Sequence, residues 1–207
     1  MDAVDALKQV AEEVSVCRQC TLAGTRKLAV PGEGPVTAQV MLIGEGPGFH
    51  ENEQGRPFVG AAGKFLDELL AKGGFKRSEV FITNVVKCRP PGNRDPLPEE
   101  LEPCAGFLDR QIAIINPLVI VTLGRFSMAK YFENVRISEV HGNPKWIGSR
   151  FIIPMFHPAA ALHQPKYRPM LEEDFSHLPK WVAEAQQKNA PSQARTEDEN
   201  PTQLSLF

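Results

Sequence analysis

Four short apolar runs, separated by stretches of helical periodicity, restrict the fold of this chain more than any other feature of its sequence. The runs lie between residues 39 and 156 and are QVMLIG, EVFITN, LVIVTLG and RFIIPMF. Helices are predicted between and around them, at about Ala3 to Val14, Ala61 to Lys72, Pro98 to Ile115, Arg125 to Phe132 and Met170 to Gln187. Apolar strands that alternate with helices are typical of a parallel sheet buried on both faces. The sequence therefore predicts an α/β protein, a three-layer α/β/α sandwich around a four-stranded parallel sheet.

The length of 207 residues, 42% of them hydrophobic, suits one packed domain and is too short for two ordinary ones. From about Gln186 the sequence becomes polar and contains proline, so this segment lacks the apolar surface needed to offset its chain entropy. We predict a domain over residues 1–186, acting as a monomer, and a disordered tail over residues 187–207.

Charge and hydropathy restrict the cellular setting. The acidic residues Asp2 and Asp5 replace the basic start of a secretory signal, and no apolar run is long enough to span a membrane. We therefore expect a cytoplasmic protein with no membrane partner. A net charge of −2 argues against non-specific coating of nucleic acid. The basic residues Lys87, Arg89 and Arg94 leave two alternatives, a local basic face around a cleft or an ordinary solvated surface.

Each apolar run ends in, or is followed by, residues that could contribute to a ligand-binding or catalytic site. Gly44 and Glu45 end the first run, Asn84 the second, Gly124 the third, and His157 follows the fourth. In open parallel sheets, ligands bind outside the carboxyl ends of the strands. We therefore expect these residues to meet in one cleft.

The four cysteines form a second group of candidate functional residues. Cys17 and Cys20 form a C-x2-C pair, whereas Cys88 and Cys104 lie far along the chain. Four thiolates complete a tetrahedral zinc site or ligate a four-iron four-sulfur cluster. Because disulfides are disfavoured in the cytoplasm, buried free thiols are the remaining alternative. The spacing alone favours iron-sulfur only slightly, since zinc sites more often use two tight pairs.

Two glycine-containing loops follow the first strand. GEGPG, residues 44–48, lets backbone amides approach a phosphate or a base closely. GRPFVGAAG, residues 55–63, places Phe58 just before a helix, where its ring could stack on a base or pack in the core.

Asn84 and His157 carry the polar chemistry of the strand ends. The Asn84 amide offers a donor and an acceptor side by side, which match O4 and the N3 hydrogen of uracil, whereas cytosine presents a reversed pair. Capping of the backbone is the structural alternative for Asn84. A lone His is more often structural than catalytic, but four strand ends with matching chemistry favour a functional His157.

The motifs GEGPG, GRPFVG, TNVVKCRPPGNR and FHPA occur in this order within the four-cysteine frame. They resemble the motifs of the bacterial family 4 (iron-sulfur) uracil-DNA glycosylases over nearly everything from Cys17 to about Pro169. The resemblance implies a monofunctional enzyme that flips uracil out of DNA and hydrolyses its N-glycosidic bond, which leaves an abasic site and initiates base excision repair. It also implies a structural four-iron four-sulfur cluster held by Cys17, Cys20, Cys88 and Cys104.

The resemblance further implies roles for individual side chains. Phe58 stacks on the flipped base, Asn84 reads the uracil edge, and His157 hydrogen-bonds O2 as the leaving base becomes anionic. Glu45 and Asn93 match family positions near the water or the pocket wall, and we expect one of them, acting through water, to position the nucleophile.

Two departures from the family pattern concern the pocket and the DNA wedge. Related glycosylases orient the water with an Asp after the first strand, whereas this chain has Gly46 at that position. We predict that Gly46 and Glu51 are substrate-binding residues. The usual wedge position holds Ala161, so Leu162 beside it is the better candidate to fill the gap left by the flipped base.

Two other function classes remain as alternatives. One is a non-catalytic or covalently trapping uracil-DNA-binding protein, but the related covalent branch has a basic insertion ending in His where this chain reads CRPPGNRDPLP. The other is a nucleotide-binding Rossmann-like module, against which GEGPG lacks the G-x-G-x-x-G spacing.

The chain ends in QLSLF, from Gln203 to Phe207, which resembles the bacterial sliding-clamp binding motif. In that motif apolar side chains enter a pocket on the clamp and Gln fixes their register. A long polar linker suits a tether between enzyme and clamp. The alternative is a tail end that folds back over an apolar patch.

Overall fold

The computed structural model describes residues 1–190, which form a five-stranded sheet with helices on both faces. The strand order is β2-β1-β3-β5-β4. The strands are β1 (Val40–Gly44), β2 (Phe81–Asn84), β3 (Val119–Leu123), β4 (Lys145–Ile147) and β5 (Arg150–Met155). Strands β2, β1, β3 and β5 are parallel, as predicted, and coincide with the four apolar runs.

The fifth strand corrects the predicted strand count. β4 pairs antiparallel with β5 through a two-residue connection, Gly148 and Ser149, in which Gly148 adopts a positive φ of 61°. β4 lies at the edge of the sheet and is only partly buried, so it lacks the apolar signal of the other strands. An antiparallel edge strand on a parallel sheet is common.

Nine α-helices surround the sheet within residues 1–190. They are α1 (Ala3–Val16), α2 (Phe49–Gln54), α3 (Ala61–Lys72), α4 (Pro98–Ile115), α5 (Arg125–Ala129), α6 (Ile137–Val140), α7 (Pro158–His163), α8 (Tyr167–Ser176) and α9 (Leu178–Asn189). The predicted helix from Met170 to Gln187 is wrong as one element, because α8 and α9 are separated at His177. α9 also continues past the boundary predicted at residue 186, and the predicted clamp motif lies outside the described residues.

The core follows the alternation of side chains along each strand. In β1, Val40 and Leu42 pack in one layer with α3, α8 and α9, whereas Met41 and Ile43 pack in the other with α4. α1 lies against α4 and contributes Val10 and Val14 to a third cluster around the cysteines. The predicted three-layer α/β/α sandwich is therefore confirmed. No helix within residues 1–190 is both long and apolar enough to cross a membrane.

Candidate active site

The carboxyl ends of β1, β2 and β5 open into one cleft of about 390 Å³. Most of the predicted site residues line this cleft, namely Glu45, Gly46, Glu51, Phe58, Asn84, Asn93 and His157. Three of the four strand ends predicted to meet therefore do so, whereas Gly124 at the end of the third strand does not line the cleft.

Asn84 is the last residue of β2 and is 1% exposed. It lies directly opposite Gly44 in the sheet, where a Cβ would come within 2.4 Å of Asn84 Oδ1 and 2.8 Å of the Phe58 ring. A glycine at position 44 is therefore required for the Asn84 amide to fit. Oδ1 of Asn84 is buried without a hydrogen-bond partner in the described structure. Buried polar atoms are nearly always paired, so this acceptor is available for a ligand.

His157 follows β5 and precedes α7, and the helix fixes its protonation. The backbone N–H of Ala159 donates to His157 Nδ1 at 3.1 Å. Nδ1 therefore carries a lone pair, and in the neutral ring the proton lies on Nε2. Burial lowers the pKa of His157 to about 4, against the opposing effect of the Glu51 charge. The imidazole is thus neutral near pH 7 and has one N–H to donate.

The Phe58 ring forms a buried wall of the cleft beside His157. The two rings are nearly parallel, with centroids 5.4 Å apart and an interplanar angle of 24°. Phe58 has a positive φ of 49°, which is unfavourable for a bulky residue. Arg77 stabilises this conformation by donating to the carbonyls of Pro57 at 2.5 Å and Phe58 at 3.2 Å.

Glu51 fixes the same loop from the other end. Its Oε1 accepts hydrogen bonds from the backbone N–H groups of Val59 at 2.9 Å and Gly60 at 3.1 Å. The predicted role of Glu51 was contact with the substrate. Its observed contacts assign it to holding the Phe58 loop, although it also lines the cleft.

Glu45 lies where the cleft meets the first turn of α5. Its Oε1 accepts from the backbone N–H of Phe126 at 3.2 Å. Burial raises the pKa of Glu45, and the hydrogen bonds from Phe126 and Arg125 oppose the rise. The carboxylate is therefore oriented by the backbone and has a pKa shifted toward neutrality, as suits a group that handles a water proton.

Gly46 and Asn93 lie at other parts of the cleft wall. A Cβ at Gly46 would come within 2.8 Å of Val86 Cγ2, so an Asp in this slot would require Val86 to move. Asn93 is exposed at the rim, has a positive φ of 57°, and accepts from Arg89 Nε at 2.7 Å through Oδ1. The Asn93 side-chain oxygen therefore already accepts a hydrogen bond from Arg89. Position 46 provides no acidic side chain that could orient a water.

Leu162 does not line the cleft but lies on α7, which begins directly after His157. It is 47% exposed, whereas Ala161 belongs to the buried core. Leu162 is therefore the accessible member of this pair, in agreement with its selection over Ala161.

The four cysteines surround a second, smaller cavity between α1, α4 and the segment after β2. Cys88 and Cys104 are buried and Cys17 and Cys20 half-buried, all as free thiols. Burial raises the pKa of Cys88, which Arg26 opposes, and raises that of Cys104 to about 11.

Two hydrogen bonds reach the cysteine sulfurs. Arg26 Nη1 donates to Cys88 Sγ at 3.1 Å, and the backbone N–H of Lys87 donates to Cys104 Sγ at 3.3 Å. Such donors stabilise thiolates bound to iron. Within residues 1–190 no three Cys, His, Asp or Glu side chains are grouped tightly enough to chelate one ion. A four-iron cluster makes a different demand, because each thiolate binds its own iron.

Comparison with known proteins gives the family. A family model described as the uracil DNA glycosylase superfamily matches residues 31–182. The type-4 uracil-DNA glycosylase of Sulfurisphaera tokodaii is 48% identical over 84% of this chain and 84% of its own length. The type-4 enzyme of Archaeoglobus fulgidus is 44% identical over 84% of this chain and 92% of its own length. The type-4 enzyme of Thermotoga maritima is 47% identical over 76% and 84%, respectively.

The chain belongs to the uracil-DNA glycosylase superfamily. Its similarity to several type-4 uracil-DNA glycosylases confirms the resemblance to family 4. The predicted function, a monofunctional uracil-DNA glycosylase, is confirmed with it.

Of the three residues considered for a basic face in this uracil-DNA glycosylase, Lys87 is buried, whereas Arg94 lines the cleft and Arg89 donates to the cleft residue Asn93. Lys87 is 1% exposed, and burial lowers its pKa to about 7. Arg94 forms an ion pair with Glu100 at 2.6 Å. Lys87 and Arg26 contact cysteine sulfurs that are 17 and 62 residues away along the chain, so the sequence patterns did not reveal them as functional candidates.

Proposed function

We propose that this uracil-DNA glycosylase reads the flipped base through Asn84 and removes it through His157. In the proposed complex, Asn84 Oδ1 accepts from N3–H of uracil and Nδ2 donates to O4. The vacant Oδ1 acceptor supports this assignment, because a flipped uracil supplies the missing donor. Phe58 stacks on the base, and its fixed loop keeps that wall in place before DNA binds.

His157 stabilises the leaving base. As the glycosidic bond breaks, the sugar becomes oxocarbenium-like and the electron pair passes to uracil, whose O2 becomes more negative. The Nε2–H of neutral His157 donates to that oxygen and so stabilises the transition state more than the ground state. The Ala159 bond at Nδ1 supports this role, because it keeps the proton on Nε2.

We assign the positioning of the nucleophilic water to Glu45. The water attacks the anomeric carbon and loses a proton, and an oriented carboxylate with a raised pKa can accept it. Asn93 is the second candidate and acts at the rim, where its Oδ1 already accepts from Arg89. We also propose Leu162 as the side chain that fills the gap in the duplex, since it is the exposed apolar residue on α7.

We further propose that Cys17, Cys20, Cys88 and Cys104 hold a four-iron four-sulfur cluster. When bound, the cluster supplies four iron-thiolate bonds that join chain segments and leaves the hydrolytic chemistry to the cleft. The shared cavity and the hydrogen bonds to Cys88 and Cys104 support the assignment. Anaerobically purified protein should be brown and contain about four irons per chain, as expected for four thiolate ligands. Stoichiometric zinc without iron would contradict it.

The observation that carries the proposed function is the pairing in one cleft of a vacant amide acceptor on Asn84 with a neutral imidazole donor on His157. The test is release of free uracil from a labelled oligonucleotide, with the matched cytosine oligonucleotide as control. We expect multiple turnovers on uracil and none on cytosine. A single stoichiometric event, with the protein bound covalently to DNA, would instead identify a trapping protein.

We propose two further properties outside the cleft. The first is that the enzyme acts on DNA as a monomer in the cytoplasm. The second is that it binds a bacterial sliding clamp, which the sequence QLSLF, from Gln203 to Phe207, supports. Deletion of Gln203 to Phe207 should abolish clamp association and leave excision from short oligonucleotides unchanged. Clamp binding that survives the deletion would refute this assignment.

A further inference from the structure

Lys87, which directly precedes Cys88, has an almost completely buried side chain. Its amino group donates to Thr83 Oγ1 at 2.5 Å, to the backbone carbonyl of Asn84 at 2.9 Å and to Gln111 Oε1 at 2.8 Å. A lysine ammonium has three N–H donors, and each here has an uncharged oxygen as its acceptor. A buried lysine without an acidic partner is rare and costs solvation energy, so its presence needs a structural reason.

The three bonds tie the end of β2 to α4. Thr83 Oγ1 and Gln111 Nε2 also donate to the carbonyl of Pro31, at 3.2 and 2.6 Å. Successive side chains of a strand point to opposite faces of the sheet. Thr83 therefore faces α4, and Asn84 faces the cleft. The Lys87 amino group thus donates to the backbone carbonyl of Asn84 from the side of the sheet opposite the cleft.

We propose that Lys87 is a positioning residue for uracil recognition, which holds the Asn84 carbonyl and thereby fixes the direction of the Asn84 amide. This inference rests on the proposed role of Asn84. The peptide unit that follows Asn84 is held at both of its polar groups: the backbone N–H of Val85 donates to the Gly44 carbonyl at 3.0 Å, and Lys87 donates to the Asn84 carbonyl. An amide that recognises one base edge must keep its direction to discriminate.

The same residue connects the base-recognition site to the cysteine region. While its side chain bonds the Asn84 carbonyl, its backbone N–H donates to Cys104 Sγ. One residue, Lys87, therefore connects Asn84 to Cys104 through hydrogen bonds. Lys87 transmits the rigidity of the cysteine region to the cleft.

A double-mutant cycle tests the proposal. Lys87→Met removes the amino group but keeps an unbranched apolar stem, and it is combined with Asn84→Ala. We expect Lys87→Met to lower the single-turnover rate of uracil excision about 10-fold in the wild-type background. In the Asn84→Ala background the change should be less than about 2-fold, because no amide remains to be oriented.

Two further variants separate positioning from stability. Leu178→Ala removes a fully buried side chain in the opposite layer, so it should lower the thermal midpoint without lowering the excision rate well below that temperature. If Lys87→Met does not fold, Gln111→Leu replaces it, because it removes one acceptor of the ammonium and leaves Lys87 in place. Its effect on excision should likewise disappear in the Asn84→Ala background.

The outcomes distinguish this inference from the proposed function. Equal losses in both backgrounds, or no loss in either, would overturn the positioning role of Lys87 while leaving Asn84 as the base reader. An Asn84→Ala variant that excises uracil at the wild-type rate would overturn the proposed role of Asn84 and the inference together.

Discussion

The uracil cleft and the cysteine region both depend on the segment that follows β2, but they are held in different ways. In the cleft, Phe58, Asn84 and His157 are each fixed by hydrogen bonds from the protein itself. The cysteines come from segments as distant as Cys17 and Cys104, and the bonds proposed to join them are those of a bound cluster. Substitutions in the cleft should therefore lower the excision rate more than the stability of the fold, whereas substitutions of the cysteines should mainly lower stability.

The largest effect expected in the cleft is that of Asn84→Asp. The carboxylate loses the donor to O4 and places a negative charge against it, so the single-turnover rate of uracil excision should fall at least about 1,000-fold. Binding of uracil-free DNA should change little, and excision is measured well below the thermal midpoint, which should fall because a carboxylate at a site that is 1% exposed costs solvation energy. Asn143→Asp makes the same substitution away from the cleft and serves as the control. Wild-type excision by Asn84→Asp would contradict the proposed recognition.

Loss of the leaving-group donor should have the next largest effect. His157→Ala should lower the single-turnover rate by about 10- to 1,000-fold, which is the scale for removal of one donor to a developing oxyanion. The matched control is His163→Ala, because His163 is exposed at the end of α7. A His157→Ala rate within a factor of two of wild type would remove His157 from the mechanism.

A cysteine variant tests the other side of the comparison. Cys88→Ser should abolish the visible absorption of the cluster and lower stability by about 3 kcal/mol, the scale of a covalent tie that closes a long loop. For a domain of this size the thermal midpoint should fall by roughly 10 °C. The single-turnover rate of the remaining folded protein should fall less than it does in His157→Ala. Unchanged stability after loss of iron would show that the cysteine region does not support the fold.

The smallest expected effect is a pH dependence of stability. Burial lowers the pKa of His157 to about 4 in the folded protein, below its ordinary value of 6.5. As the pH falls below about 6.5, the unfolded chain binds a proton that the folded chain does not, so stability decreases. Between pH 6.5 and 5 this amounts to at most about 2 kcal/mol. Urea unfolding should show a smaller decrease in His157→Ala than in wild type, and equal decreases would argue against a neutral imidazole in the folded protein.

The sheet was predictable from the sequence because four of its strands are continuous apolar runs. The edge strand β4 was not, because Lys145 to Ile147 is short and only partly buried. A signal for it was nevertheless present, since Gly148 and Ser149 form a two-residue connection typical of a hairpin. The division between α8 and α9 at His177 was missed because the apolar residues continue across it.

The residues of the candidate site were predictable as strand ends and motif positions, but their supporting contacts were not. Arg26 and Cys88 are 62 residues apart, and Lys87 and Gln111 are 24 apart. No local pattern in the sequence connects such pairs. The bonds from Glu51 to the backbone of Val59 and Gly60 also depend on the folded path of the loop. Sequence patterns thus indicate which groups can react, and tertiary structure determines what holds them.

The fixed conformation of Phe58 has a consequence for how the enzyme searches DNA. Arg77 and Glu51 hold the loop in the free protein, so the receiving surface exists before a base arrives. A preformed wall of this kind can receive a base as it is flipped, without first rearranging the Phe58 loop. Weakly stacked or mismatched uracil costs the least free energy to flip, so such bases should be sampled most often.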